Sequence, residues 1–298
     1  MQKFYPLFFL LIFMLFSCGE NETQEVSSSI EVFSLESKGS KTIYTSENII
    51  SSPQWSPDGK YIFFNENENI LQISVEDGLV ETVISSVPCS PNYGISSDGK
   101  SLAVSVLGKP GDNTQITIFS LEEDGQSQNF TFNGDAWFHG WDPTGNRFVF
   151  CGKQSDKLDI YSASLQGELA KLTNSGDFLS NTPDYSLDGK YIYFSSDRSG
   201  IAEVWRIDAN GDNLKQITSD DYNNWFPHPS PDGNNLLFLS YNNDVYKHPS
   251  NEEIQVRLMS LSDKKAETLF ETIGGQGTFN MPCWSPDSKS FVYVNYTP

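Results

Sequence analysis

Three histidines and one glutamine are the residues of this sequence best suited to metal or proton chemistry. The chain of 298 residues contains only three histidines, His139, His228 and His248, and Gln276 follows them. Imidazole binds Zn, Mn or Ni, and a bound divalent metal can acidify a water molecule or a sugar α-proton. No His-x-His or His-x3-His pair occurs, so the fold would have to assemble the site. One hypothesis is therefore a divalent metal held by His139, His228, His248 and Gln276.

The same residues fit two other interpretations. Aromatic residues lie close to them in the sequence, and aromatic rings are typical anchors of recognition surfaces. We expect a binding rim for a protein, peptide or glycan that consists of Tyr93, Trp137, His139, Trp141, Tyr222, Trp225, Phe226, His228, His248 and Gln276. The third interpretation is that His139 and His228 satisfy buried backbone groups, while His248 shapes a loop.

A turn motif that recurs six times indicates which elements position these residues. Its first copy is Trp-Ser-Pro-Asp-Gly-Lys at residues 55–60, followed by an apolar run at 61–64. Proline presets φ for a type I turn, and glycine can adopt the positive φ that closes it. Successive copies are 40 to 55 residues apart and begin at Trp55, Ile95, Trp141, Tyr185, Pro229 and Trp284. A strand–turn–strand unit with this period is the signature of a β-propeller.

Each repeat contains a second pair of strands, such as 70–75 and 80–84 in the first copy, with period-2 alternation. The sixth hairpin has no such pair after it, whereas an unused pair at 30–35 and 41–44 precedes the first hairpin. We therefore predict an all-β, six-bladed β-propeller over residues 30–298 with four antiparallel strands per blade. The N-terminal strands complete the last blade and close the ring.

Strand direction in this fold predicts where the candidate residues meet. If the six hairpin turns lie on one face, then two other classes of loop lie on the opposite face. These are the loops that lead into each hairpin and the loops between the second and third strands. His139, His228, His248 and Gln276 all fall in or next to these loops. We therefore expect them to converge on one rim, beside the central channel.

The N-terminal segment predicts export. Residues 1–18 have a short basic start and an apolar run, and they end in Leu-Phe-Ser-Cys, which is similar to a lipoprotein signal peptide and lipobox with Cys18 as the lipidated residue. Residues 19–29 are polar and predict a flexible tether. We expect an outer-membrane lipoprotein that faces the periplasm or the cell surface and meets the membrane through its lipid alone. Secretion without a lipid is the alternative.

The composition excludes some partners. The formal net charge is −20 at pH 7, and such a surface repels nucleic acid. Beyond Cys18 three cysteines remain, and their spacing matches no cysteine zinc motif or disulfide framework, so we expect buried thiols. No phosphate loop, dinucleotide fingerprint or Gly-x-Ser-x-Gly motif occurs. We expect a monomeric protein that acts as a binding module, with enzymatic activity as the alternative.

The Ser-Pro-Asp-Gly hairpins over residues 30–298 resemble the Tol-type repeats of TolB-like six-bladed propeller lipoproteins. The stretches at 139–141, 191–200, 224–233 and 274–278 also look like that group. The resemblance implies a rigid binding or scaffolding module of the cell envelope. In this group the second repeat often carries histidine where Tyr93 stands. Oligogalacturonate lyases, which are propellers of a similar repeat type, use a His/Gln metal cluster, so the alternative function is a metal-dependent polysaccharide lyase.

Overall fold

A computed structural model describes residues 27–122 and 125–297 of the chain. In these residues the backbone forms six antiparallel sheets, the six predicted blades. The expected signal peptide, with Cys18, and most of the expected tether lie outside the described residues. The first strand begins at Ser27, so the last three residues assigned to the tether belong to the propeller. Among the described residues no helix is long and apolar enough to cross a membrane.

Blades one to five follow one another along the chain, and each has four strands in sequential order. The first three blades consist of β3 (Ile50–Trp55), β4 (Tyr61–Glu66), β5 (Asn69–Ser74), β6 (Val80–Ile84), β7 (Cys89–Ile95), β8 (Ser101–Val106), β9 (Gln115–Ser120), β10 (Ser127–Phe130), β11 (Asp135–Trp141), β12 (Arg147–Gln154), β13 (Lys157–Ser164) and β14 (Leu169–Lys171). The next two consist of β15 (Ser180–Tyr185), β16 (Tyr191–Ser196), β17 (Glu203–Asp208), β18 (Lys215–Gln216), β19 (Tyr222–Pro229), β20 (Asn235–Asn242), β21 (Glu252–Ser260) and β22 (Ala266–Gly274).

The sixth blade joins the two ends of the chain. It consists of β1 (Ser27–Ser34), β2 (Gly39–Ser46) and β23 (Ser290–Thr297). β1 pairs with β23 over its whole length, from Ser27 opposite Thr297 to Ser34 opposite Ser290. The innermost position of this blade is reduced to a single bridge between Trp284 and Phe291. Since β23 also contacts β3 of the first blade, the ring is closed as predicted.

Side-chain hydrogen bonds explain why the hairpin motif recurs. In the first turn the Ser56 hydroxyl donates to Asp58 Oδ1 (2.7 Å), and the backbone N–H of Tyr61 donates to Ser56 Oγ (2.9 Å). Asp58 Oδ1 also accepts the backbone N–H of Lys60 (3.1 Å), while Gly59 has φ 71°. The same serine–aspartate bond closes four further turns, at Ser96–Asp98, Ser186–Asp188, Ser230–Asp232 and Ser285–Asp287. The repeated carboxylates therefore cap their own turns.

The core lies between neighbouring blades. Phe138, Phe148 and Phe150 are fully buried in one of its clusters, and burying each phenylalanine stabilises the fold by about 1.5–3 kcal/mol. Gly94 of the second blade permits this packing, because a Cβ there would lie 2.5 Å from the Phe138 ring. As expected, the three cysteines of the described residues are buried and free: Cys89, Cys151 and Cys283.

Candidate functional site

Two neighbouring depressions open on the face opposite the hairpin turns. The larger, here called the groove, has a volume of about 610 Å³ and is lined by residues 155–158, 176–179, 197, 200–202, 223, 225 and 243–247. The smaller, here called the central cavity, has a volume of about 220 Å³ and is lined by Asn92, Trp137, His139, Leu158, Asn181, Thr182, Phe226, His248, Gln276 and Asn280. Leu158 lines both, and His248 of the cavity follows directly after Lys247 of the groove. The face therefore carries one composite site.

His139 presents an unpaired imidazole to the central cavity. The side chain lies on β11 and is only 5% exposed. Burial, together with the nearby His228 and His248, lowers its pKa to about 3. None of the hydrogen bonds among the described residues engages its ring nitrogens. His139 is therefore neutral at pH 7, with one nitrogen able to donate and the other able to accept.

His248 reaches the same cavity from the loop between β20 and β21. Its Nε2 lies 3.1 Å from Asn181 Nδ2, and Asn181 Oδ1 accepts the backbone N–H of Thr182, which fixes the orientation of the amide. Asn181 therefore donates to His248, whose proton must be on Nδ1. The ring packs against Trp225 and Phe226, with centroid distances of 4.5 and 5.0 Å. Burial lowers the pKa of His248 to about 4, so this imidazole is neutral as well.

His228 lies deeper in the channel and has no free nitrogen. Its Nε2 donates to the carbonyl oxygen of Phe279 at 3.0 Å, and its Nδ1 lies 2.9 Å from Asp184 Oδ2. Because a carbonyl can only accept, the second nitrogen and the carboxylate share a single proton, and the pair has no net charge. Burial raises the pKa of Asp184, while the contact with His228 opposes that rise. This pair joins blades four and five to the closing segment that precedes β23.

Three of the four predicted metal ligands line the central cavity, whereas His228 does not. Both nitrogens of His228 are engaged, and no group of three or more His, Cys, Asp or Glu side chains within residues 27–122 and 125–297 could hold a metal ion. His139, His248 and Gln276 do line the same cavity, as the sequence led us to expect. His228 is hydrogen-bonded to two neighbouring elements of the ring, and a metal held by the predicted ligands stays a prediction.

Left-handed backbone positions shape the mouth of the channel. Ser52, Thr182 and Phe226 have φ between 54° and 56°, and each directly precedes a proline on an innermost strand. At each of these positions the register with the next strand shifts. Positive φ is costly for a residue with a side chain, so the surrounding fold must hold it. Two of the three, Thr182 and Phe226, line the central cavity, so the local strain lies at the candidate site.

Three aromatic residues of the predicted rim lie elsewhere. Tyr93 is fully buried and its hydroxyl donates to Ser52 O at 2.6 Å, so it belongs to the core. Trp141 points to the opposite face, where its Nε1 donates to Gly94 O and its ring lies beside the hairpin turns. Tyr222 lies under Arg257, next to a separate pocket on the outer strands.

Trp225 lines the groove, and Trp137 and Phe226 line the central cavity. The sequence did not identify several other residues of the composite site. Asn92, Asn181 and Asn280 line the cavity, while Phe178 and Tyr246 are exposed at the groove. All of these except Asn92 lie in the loops or strand ends that the topology assigns to this face, and that position is the sequence signal that could have identified them.

The fold and this site define the class of protein to which the chain belongs. The family model of the TolB beta propeller domain matches residues 66–298, so the chain is a member of that family. An uncharacterized protein of Agrobacterium fabrum is 36% identical over 276 residues, which cover 91% of this chain and 93% of that protein. A solved structure from Agrobacterium tumefaciens, provisionally called TolB, is 37% identical with a TM-score of 0.86 and covers 92% of this chain and 99% of its own.

A more distant relative is the Tol-Pal system protein TolB of Francisella tularensis. It is 23% identical over 249 residues, which cover 80% of this chain and 55% of that protein. This chain therefore spans about half the length of that relative.

Proposed function

We propose that this protein is a recognition module of the cell envelope and that the groove is where it binds a protein partner. The observation that carries the proposal is the exposure of two aromatic side chains in the groove, Phe178 at 52% and Tyr246 at 81%. Exposed aromatic residues next to a concave surface are characteristic of interaction sites. The groove, with a volume of about 610 Å³, has room for several side chains of a partner.

The charge of the groove favours a partner segment with basic residues. Its lining contains four aspartates and two lysines. Asp177 and Asp244 have no ion pair among the described residues, whereas Asp156 pairs with Lys153 at 3.1 Å. The whole chain carries a net charge of −20, which adds to the attraction of a cationic partner. That one relative, TolB, is named as a component of the Tol-Pal system also supports a protein partner.

The location that we propose follows from the N-terminal sequence. Lipidation at Cys18 would attach the propeller to the outer membrane, facing the periplasm or the cell surface, with no other membrane contact. We further propose that the propeller acts as a monomer, in which the whole groove-bearing face is free for its partner.

The test compares two faces of one molecule. Envelope extracts are passed over immobilised protein that carries Phe178→Ala and Tyr246→Ala together, or Leu187→Ala alone. Leu187 is a matched control because it is 55% exposed but lies on a hairpin turn of the opposite face. We expect the double substitution to lose a specific partner and Leu187→Ala to retain it. Equal recovery of every bound protein by both variants would contradict the proposal.

A further inference from the structure

The wall of the central cavity is polar but carries no charge. Its ten lining residues include four carboxamides, two imidazoles and one hydroxyl, but no acidic side chain, lysine or arginine. Both imidazoles are neutral at pH 7, as argued above. An ionic ligand would lose its hydration here without gaining a countercharge, which is unfavourable. The wall is therefore suited to an uncharged, polar ligand.

Several hydrogen-bonding groups in the wall are free to meet such a ligand. Neither nitrogen of His139 is engaged within the described residues. Asn280 Oδ1 accepts the backbone N–H of Gly277 at 2.8 Å, which leaves the Asn280 amide N–H groups to donate. Asn92 Oδ1 accepts from a serine hydroxyl, which leaves its N–H groups too. The exposed side-chain amide of Gln276 can donate and accept. These groups favour a ligand that has several hydroxyl or carbonyl oxygens.

The shape of the cavity limits the size of that ligand. The volume is about 220 Å³, room for roughly seven water molecules at about 30 Å³ each. It is below the range of about 300–1,000 Å³ that is usual for drug-sized ligands. Trp137 and Phe226 add aromatic surface to the wall, against which the C–H face of a ring can pack. One six-membered ring with its substituents fits this space.

We propose that the central cavity binds a single uncharged sugar unit, a hexose or an N-acetylhexosamine. His139, Asn92 and Asn280 bind its oxygen atoms, Trp137 contacts its ring, and Gln276 closes over it from the rim. This inference rests on the cavity alone and does not depend on the groove. The sugar can be a free monosaccharide or the end of a glycan chain, since both present the same ring.

The test is saturation-transfer NMR on the purified protein. The probes are glucose, galactose, N-acetylglucosamine and N-acetylgalactosamine, with glucuronate and glucosamine as charged analogues. We expect at least one neutral sugar to bind, and its charged analogue to bind about tenfold or more weakly, because the cavity supplies no countercharge. A reducing-end glycoside of the same sugar distinguishes the sources: its binding indicates the end of a glycan, and its exclusion indicates the free monosaccharide.

Two variants locate the site. Gln276→Ala removes an exposed amide, so the fold is retained, and loss of one hydrogen bond should weaken binding by about fivefold. Trp137→Ala should weaken it further, whereas the matched control Gln128→Ala, an exposed glutamine on β10, should leave binding unchanged. Three results would overturn the proposal: no signal from any neutral sugar, equal binding of the charged analogues, or binding that both cavity variants leave intact. If none of the sugars binds but an asparagine-containing tripeptide does, the cavity is a site for a protein partner instead.

Discussion

Acidification from pH 7 to pH 5 is expected to destabilise the propeller, because two histidines remain neutral in the folded chain. Burial lowers the pKa of His139 to about 3 and that of His248 to about 4, from an ordinary value of 6.5. As the pH falls through 6.5, the unfolded chain therefore binds protons that the folded chain does not. The stabilisation is complete above pH 6.5 and is lost progressively towards the folded-state pKa values.

The magnitude follows from the two pKa values of each group. At pH 5 the imidazole of an unfolded histidine is protonated in about thirty molecules for each neutral one, whereas both folded imidazoles are still neutral. Relative to pH 7, this difference lowers the free energy of unfolding by about 2 kcal/mol for His139. The effect of His248 is somewhat smaller, since that side chain is partly exposed.

Urea unfolding at pH 7 and pH 5, followed by tryptophan fluorescence, measures this effect. The quantity of interest is the change in unfolding free energy between the two pH values, so any packing loss in a variant cancels. We expect His139→Gln to reduce that change by about 2 kcal/mol and the exposed control Tyr246→Ala to leave it unaltered. If His139→Gln and the unsubstituted protein show the same pH dependence of the unfolding free energy, the claim that His139 stays neutral in the folded chain at pH 5 is refuted.

Three further predictions concern the fold and its anchor. Deletion of residues 27–46 removes β1 and β2 and leaves β23 unpaired, so we expect aggregation or a large fall in the melting temperature; a truncated protein that melts like the intact one would contradict the closure. Ser52→Gly should raise stability by about 1 kcal/mol in thermal unfolding, since Ser52 has φ 55° and a buried hydroxyl without a partner; an unchanged or lower midpoint counts against this reasoning. Cys18→Ala should move the protein from the membrane to the soluble fraction, and retention in the membrane would exclude the lipid as its sole anchor.

The architecture was predictable because its determinants are local and repeated. Four of the six hairpin turns contain a serine, an aspartate and a glycine within four residues, and their serine and aspartate side chains are hydrogen-bonded to each other. The third turn uses Asp142 and Thr144, and the sixth has Ser288 in place of the glycine. Counting strands then left one N-terminal pair, whose only available partner was the last strand. The pairing of β1 with β23 confirms that argument.

The site was only partly predictable, because side-chain direction at an innermost strand depends on register. The sequence placed His139, His248 and Gln276 together correctly, since the topology alone brings their loops to one face. It misplaced Tyr93 and Trp141, which point into the core and to the opposite face. The register shifts within both strands, between Cys89 and Tyr93 on β7 and between Phe138 and Gly140 on β11, which breaks the period-2 alternation from which side-chain direction was inferred.

The buried pair of His228 and Asp184 illustrates a second limit. Its partners are 44 residues apart, and the third participant, the carbonyl of Phe279, is a further 51 residues away from His228. From the sequence, a histidine next to prolines on an inner strand could equally be a metal ligand or a structural residue that connects neighbouring blades. Only the three-dimensional contacts distinguish the two roles.

Site-specific photocrosslinking in living cells tests the central claim, recognition of a protein partner through the groove, most directly. A photoreactive phenylalanine analogue replaces Tyr246 in the groove or Leu187 on the opposite face, both of which are well exposed. We predict a discrete crosslinked envelope protein from position 246, and none from position 187. Crosslinks that are absent at position 246, or identical at both positions, would contradict the account.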